Sequence, residues 1–135
     1  MSRMTFINLP VQDLARTVEF FTKLGFSFDE TFTDENATCM IISDDSYVML
    51  LVEPFFKGFT NAEIPDPTKS SEVIVGLSAQ SREEIDALRG TAVEAGAESL
   101  GDPQDDGFMY MWGFRDLDGH QWSFIYMDDS AVPEQ

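Results

Sequence analysis

Two glycines frame this chain. Gly25 and Gly96 each close a stretch in which apolar residues recur at helical spacing, and each can take the left-handed backbone that ends a helix. Before the first glycine, Asp13 stands at an N-cap position and Leu14, Val18 and Phe21 form an apolar stripe, which predicts a helix over about residues 14–24. Before the second, Ser81 and Glu84 have the spacing of a capping box, and Ile85, Leu88 and Ala92 form the stripe. Gly90 weakens that second helix slightly.

Around each helix the strand signals fall in the same order. The first half has Thr5 to Leu9 ahead of its helix, then Phe26 to Thr33, Thr38 to Ile42 and Tyr47 to Val52, with a turn at Ser43-Asp44-Asp45-Ser46. A polar loop from Ile64 to Ser71 separates the halves. The second half has Glu72 to Ser78, its helix, and then Glu98 to Leu100, Phe108 to Arg115 and Gln121 to Met127. Each half therefore reads βαβββ. The expected fold is α+β: one domain over residues 1–135, with modules at about 4–57 and 72–128 forming a curved, cleft-bearing mixed sheet. Residues after Asp128 have little to bury and are expected to fray.

A chain of 135 residues that is 43% hydrophobic can bury a core without disulfides or a structural metal. Twenty-five acidic residues against eight basic ones give a net charge of -17, which repels phosphate backbones and anionic headgroups. Nucleic acid and membrane surfaces are thus poor partners. No apolar run has the length of a membrane span, and Met1-Ser2-Arg3-Met4 lacks the apolar core of a signal peptide, so the expected location is the cytoplasm. The single cysteine, Cys39, lies in a mostly apolar stretch with no basic neighbour in sequence to lower its pKa, and reads as a small core residue.

Two motifs carry a resemblance. Leu9-Pro10-Val11-Gln12-Asp13-Leu14, followed by Thr17, Phe20, Phe21 and Leu24-Gly25-Phe26, looks like the opening of vicinal-oxygen-chelate proteins: glyoxalases, bleomycin-resistance proteins and extradiol dioxygenases. Asp116-Leu117-Asp118-Gly119-His120-Gln121-Trp122 resembles that superfamily's last turn and strand, with Leu117 where proline is usual. Asp118-Gly119 is also a strong hairpin turn in its own right. With the repeated element order, the resemblance covers residues 4 to 127 and implies a scaffold that is frequently homodimeric.

For metal-dependent members the resemblance implies one ligand, usually His or Glu, from each of four strands. Aligned on the motifs, those positions fall at Phe6, near Leu50, near Ile74 and at Ser123: three hydrocarbons and a neutral hydroxyl. A slip in register brings Thr5, Ile7, Asn8, Met49, Leu51, Val73, Val75, Trp122 or Phe124, and only Glu53 and Glu72 at strand edges offer carboxylates. No metal and no other cofactor is expected. His120, the sole histidine, is a weak candidate for general base, because a turn residue that bonds locally explains it as well.

What remains is a greasy interior. Phe6 and Asn8 share one strand face, Val48 and Leu50 another, and Ser123 and Ile125 a third; Ile74, Tyr110 and Trp112 complete the expected lining. Such a cleft, if not filled by its own side chains, suits a small apolar or aromatic ligand. Phe55, Phe56 and Phe59 fall in an expected loop, where they cover the cleft, pack on the core or meet a second subunit. The resulting expectation is a metal-free small-molecule binding protein like the bleomycin-resistance proteins, with a metal-dependent lyase or dioxygenase as the alternative.

Overall fold

Alternation along β1 (Thr5–Val11) runs two residues past the expected end, to buried Val11, because Pro10 has the strand edge it needs and Leu9 and Val11 both turn inward. The computed structural model describes residues 3–128 and Ser130, so the expectation of a frayed tail falls on residues that lie, Ser130 apart, outside the described ones. Two compact units, Met1–Pro65 and Asp66–Gln135, contain a βαβββ run and a βαββββ run respectively, the second with one short strand more than expected.

In the first unit, Asp13 caps α1 (Leu14–Lys23) by accepting the Arg16 N–H at 3.1 Å. The helix buries Thr17, Phe20 and Phe21, so the stripe lies one position off the expected one at Val18. Phe20 and Phe21 are at most 2% exposed, and each such ring contributes roughly 1.5–3 kcal/mol by leaving water. The sheet order is β1-β4-β3-β2, with β3 at Ala37–Ile41 and β4 at Ser46–Val52. β1 and β4 run parallel, and the other pairs are antiparallel.

The expected long strand from Phe26 to Thr33 is cut short. β2 covers only Ser27–Asp29, because the Asp29 carboxylate accepts the Thr31 N–H at 3.0 Å and diverts Glu30–Phe32 into a 3-10 turn. The expected loop after β4 is also corrected. Pro54, which suits a helix start, opens α2 (Glu53–Phe56), and Lys57–Phe59 follows as a 3-10 turn. There the Phe55 and Phe59 rings meet edge-on at 5.2 Å, and Phe59 stays 70% exposed.

The second unit repeats the plan. β5 (Ile74–Ser78) pairs parallel with β9 (Gln121–Met127), and the order is β5-β9-β8-β6, with β6 at Glu98–Ser99 and β8 at Met109–Arg115. A two-residue strand, β7 (Gln104–Asp105), pairs with β8; its polar sequence carried no strand signal. Ser81 caps α3 (Arg82–Glu94) by accepting the Glu84 N–H at 3.0 Å. Glu84 answers one residue earlier than a capping box requires, taking the N–H of Gln80 at 2.6 Å. No helix among the described residues is long and apolar enough to cross a membrane.

Candidate functional site

The parallel register of β1 and β4 sets one face of the first sheet. Phe6 pairs with Tyr47 and Asn8 with Met49, so these four side chains share the face opposite the core residues Leu9, Val11, Val48 and Leu50. Met49 pairs in turn with Cys39, and Cys39 with Asp29. One straight row therefore crosses four strands: Asn8, Met49, Cys39, Asp29.

That row floors a cavity of about 380 Å³. Phe6 and Tyr47 form its wall, with rings stacked at 5.2 Å and 15° between planes, and Met4 and Phe32 complete its rim. The Tyr47 hydroxyl is anchored by donating to the Asp44 carbonyl at 2.8 Å. Among the described lining residues, Asp29 is the one that carries a charge at neutral pH. Burial raises the pKa of the Cys39 thiol, and the neighbouring Asp29 carboxylate raises it further. The thiol is therefore protonated and a poor nucleophile at neutral pH.

The expected lining residues separate into two groups. Phe6 and Asn8 lie in this cavity. Leu50 does not: it is fully buried on the opposite face, the side on which α1 packs. Tyr110 and Trp112 are likewise on the helix side of the second sheet. The Tyr110 hydroxyl donates to Asp86 of α3 at 2.6 Å, while Trp112 is 1% exposed, stacks on Phe114 at 5.1 Å and donates its indole N–H to Ser99 at 3.0 Å. Both are structural because β8 shows α3 the face bearing residues 110, 112 and 114. Ser123 lies on the other face beside Gly76, whose added Cβ would sit 3.3 Å from its hydroxyl, and Ile74 is 58% exposed at the start of β5.

His120 belongs to a turn built on Asp116. The Asp116 carboxylate accepts the N–H groups of Asp118 at 2.9 Å and His120 at 3.0 Å, and the Trp122 indole N–H at 2.9 Å. Burial raises the Asp116 pKa, an effect opposed by the adjacent His120 and by the Trp122 hydrogen bond. The motif Asp116 to Trp122 is thus a structural knot, and His120 is not among the cavity-lining residues.

Sequence reading missed Tyr47, Met49, Cys39 and Asp29 as cavity residues. The missing signal was the register of β1 against β4, which shifts the cavity face of β4 by one residue from Leu50 to Met49.

Comparison with known proteins agrees with this architecture. The family described as bleomycin resistance protein-like N-terminal matches residues 3–43. A hypothetical protein from S. aureus is similar over 93% of this chain and 94% of its own, at 28% identity and a TM-score of 0.79. A glyoxalase/bleomycin resistance protein/dioxygenase family enzyme from Burkholderia phytofirmans PsJN superposes with a TM-score of 0.77 at 14% identity, covering 93% of this chain and 99% of that one. The chain has the fold of these glyoxalase/bleomycin resistance protein/dioxygenase structures. A glyoxalase/bleomycin resistance protein/dioxygenase from Nocardioides shares that fold at 22% identity and a TM-score of 0.71, over 100% of this chain and 89% of that one. No curated protein matches the chain by sequence.

The vicinal-oxygen-chelate scaffold implies a divalent metal in its metal-dependent members, and the donors here do not fit one. On the open face of the first sheet, β1 and β4 offer a phenyl ring, an amide, a phenol and a thioether at Phe6, Asn8, Tyr47 and Met49. In the second unit, taken by itself, the positions Ile74 and Ser123 carry a hydrocarbon and a neutral hydroxyl. Hard and borderline cations prefer carboxylate and imidazole, and no three His, Cys, Asp or Glu side chains gather as a metal group among the described residues.

Proposed function

We propose that this protein binds a small apolar or aromatic molecule without a metal, in the manner of a bleomycin-resistance-like binding protein. The observation that carries this reading is the cavity on the first sheet: an aromatic wall of Phe6 and Tyr47 over a floor with few polar handles. Pockets of that size and lining hold ligands by burying apolar surface, with a polar group or two fixing orientation. The donor chemistry of Phe6 and Met49 in this cavity supports a metal-free site over a metal-dependent lyase or dioxygenase.

The reading includes a homodimer acting in the cytoplasm. Exposed Phe55 and Phe59 support the dimer, because aromatic residues are enriched at subunit interfaces. Light scattering after gel filtration is expected to give twice the 15.2 kDa chain mass.

Two titrations test the function. Dansylamide, a neutral naphthalene fluorophore, is expected to bind saturably at one site per chain, and Phe6→Ala to weaken it about threefold to tenfold by removing half of a stacked pair. Equilibrium dialysis of metal-stripped protein against nickel, zinc and iron(II) is expected to show no stoichiometric uptake. Tight one-to-one metal binding would overturn the metal-free reading.

A further inference from the structure

The open face of the second sheet gathers donors that no described residue accepts from. β8 turns residues 110, 112 and 114 toward α3, which leaves Met111, Gly113 and Arg115 on the opposite face with their β9 partners Ile125, Ser123 and Gln121. The Arg115 Nε is buried without a hydrogen-bond partner among the described residues. The Ser123 hydroxyl likewise makes no hydrogen bond among them, although Ser123 is only 8% exposed. Gln121 accepts the Ser71 hydroxyl at its Oε1, at 3.5 Å, so its amide N–H groups are the part left to offer. Gly76 keeps the serine uncovered on the β5 side, because a Cβ there would come within 3.3 Å of the hydroxyl oxygen.

Strand geometry puts these donors within reach of one acceptor. Arg115 and Gln121 are direct partners, about 5 Å apart at Cα, and Ser123 lies two residues along β9, about 7 Å further. A buried donor without an acceptor costs stability, and such a group calls for a ligand or an ordered water. Glu98, opposite Arg115 on β6, forms no ion pair with it among the described residues.

Charge and shape select the acceptor. The cluster carries a single positive charge in a chain of net charge -17, so it answers a monoanion and leaves a dianion facing repulsion. A planar guanidinium matches the two oxygens of a carboxylate. Beside it the row Gly76, Ser123, Gly113 crosses three strands with no side chain larger than that of serine, and Ile125 and Met111 form its apolar side. A flat apolar body fits along that row.

We propose that the open face of the second sheet binds a small planar carboxylic acid as its monoanion. Arg115, Gln121 and Ser123 hold the carboxylate, and the ring lies along the glycine row beside Ile125. This site stands on the second unit alone and is independent of what the first-sheet cavity binds.

Calorimetric titration of the full chain with 2-naphthoate and its neutral isostere 2-naphthamide tests the site at neutral pH and 0.15 M salt. Naphthoate is expected to bind at one site per chain, about tenfold more tightly than naphthamide. Arg115→Met is expected to bring the two within about twofold, and Arg115→Lys, which keeps the charge without the fork, to leave a preference of about threefold. Ser123→Ala is expected to weaken naphthoate about threefold to fivefold by removing one donor. Lys23→Met on α1 removes the same unit of charge from the first unit and is expected to preserve the preference. Saturating dansylamide is expected not to displace naphthoate. Absence of naphthoate binding, equal affinity of the two probes for the native chain, or a preference unchanged in both Arg115 variants overturns the assignment. Displacement of naphthoate by dansylamide also overturns it, by placing both probes in one site, and none of these outcomes touches the reading of the first-sheet cavity.

Discussion

Asp116 shows how one side chain can hold a turn for which sequence suggests chemistry. Its carboxylate takes three donors, from Asp118, His120 and Trp122, in a setting where it is only 6% exposed. Asp116→Ala leaves those donors without their acceptor, and the expected loss is about 3 kcal/mol of unfolding free energy, read by urea denaturation. Cys39 makes the opposite point: a thiol beside a cavity that burial keeps inert. With its pKa raised above the ordinary 9.0 in the folded state, the folded protein disfavours the thiolate. The Cys39 contribution to stability is therefore fully present below about pH 9 and is lost as pH rises through the folded-state value. Melting temperatures across pH 8 to 10.5 are expected to fall less steeply for Cys39→Ala than for the native chain. Iodoacetamide at pH 7.5 is expected to modify the native protein far more slowly than the guanidinium-unfolded one.

At the scale of elements, the two turns resembling a known superfamily differ in what their glycines do. Gly25 has φ +97° with open space around it, so its role is conformational. Gly119 has φ +93°, and a Cβ there would meet the Thr68 backbone nitrogen at 2.9 Å. Gly25→Ala is expected to cost about 1 kcal/mol and Gly119→Ala about 3 kcal/mol or more, because the second adds a backbone collision to the same strain. Thermal unfolding of the two variants side by side checks the order. The element pattern itself was legible: periodicity and caps located α1, α3 and β9 closely, since these depend on contacts a few residues apart. β2 and α2 were misread where a local detail decides, the Asp29 cap in one case and Pro54 at a helix start in the other.

For the whole molecule, charge is the dominant global property. A net charge of -17 on 135 residues acts against the folded chain through self-repulsion. Raising ionic strength from about 10 mM to about 0.15 M shortens the screening length from about 30 Å to about 8 Å. A stabilisation of about 1 kcal/mol is expected, seen as a rise of about 3–5 °C in Tm by calorimetry at fixed pH. Sodium chloride and potassium chloride should act alike, because screening does not distinguish them.

Sequence by itself determined the repeated order of a strand, a helix and further strands, the helix caps and the acidic character. Those features follow from side-chain chemistry and from periodicities internal to each element. Only tertiary structure decided which face of each strand is open. Register between β1 and β4 put Tyr47 and Met49 in the cavity and Leu50 in the core, and packing on α3 turned Tyr110 and Trp112 away from the open face. Because strand side chains alternate with period two, a single-residue difference in register exchanges lining for core, and nothing within one strand's sequence fixes that choice.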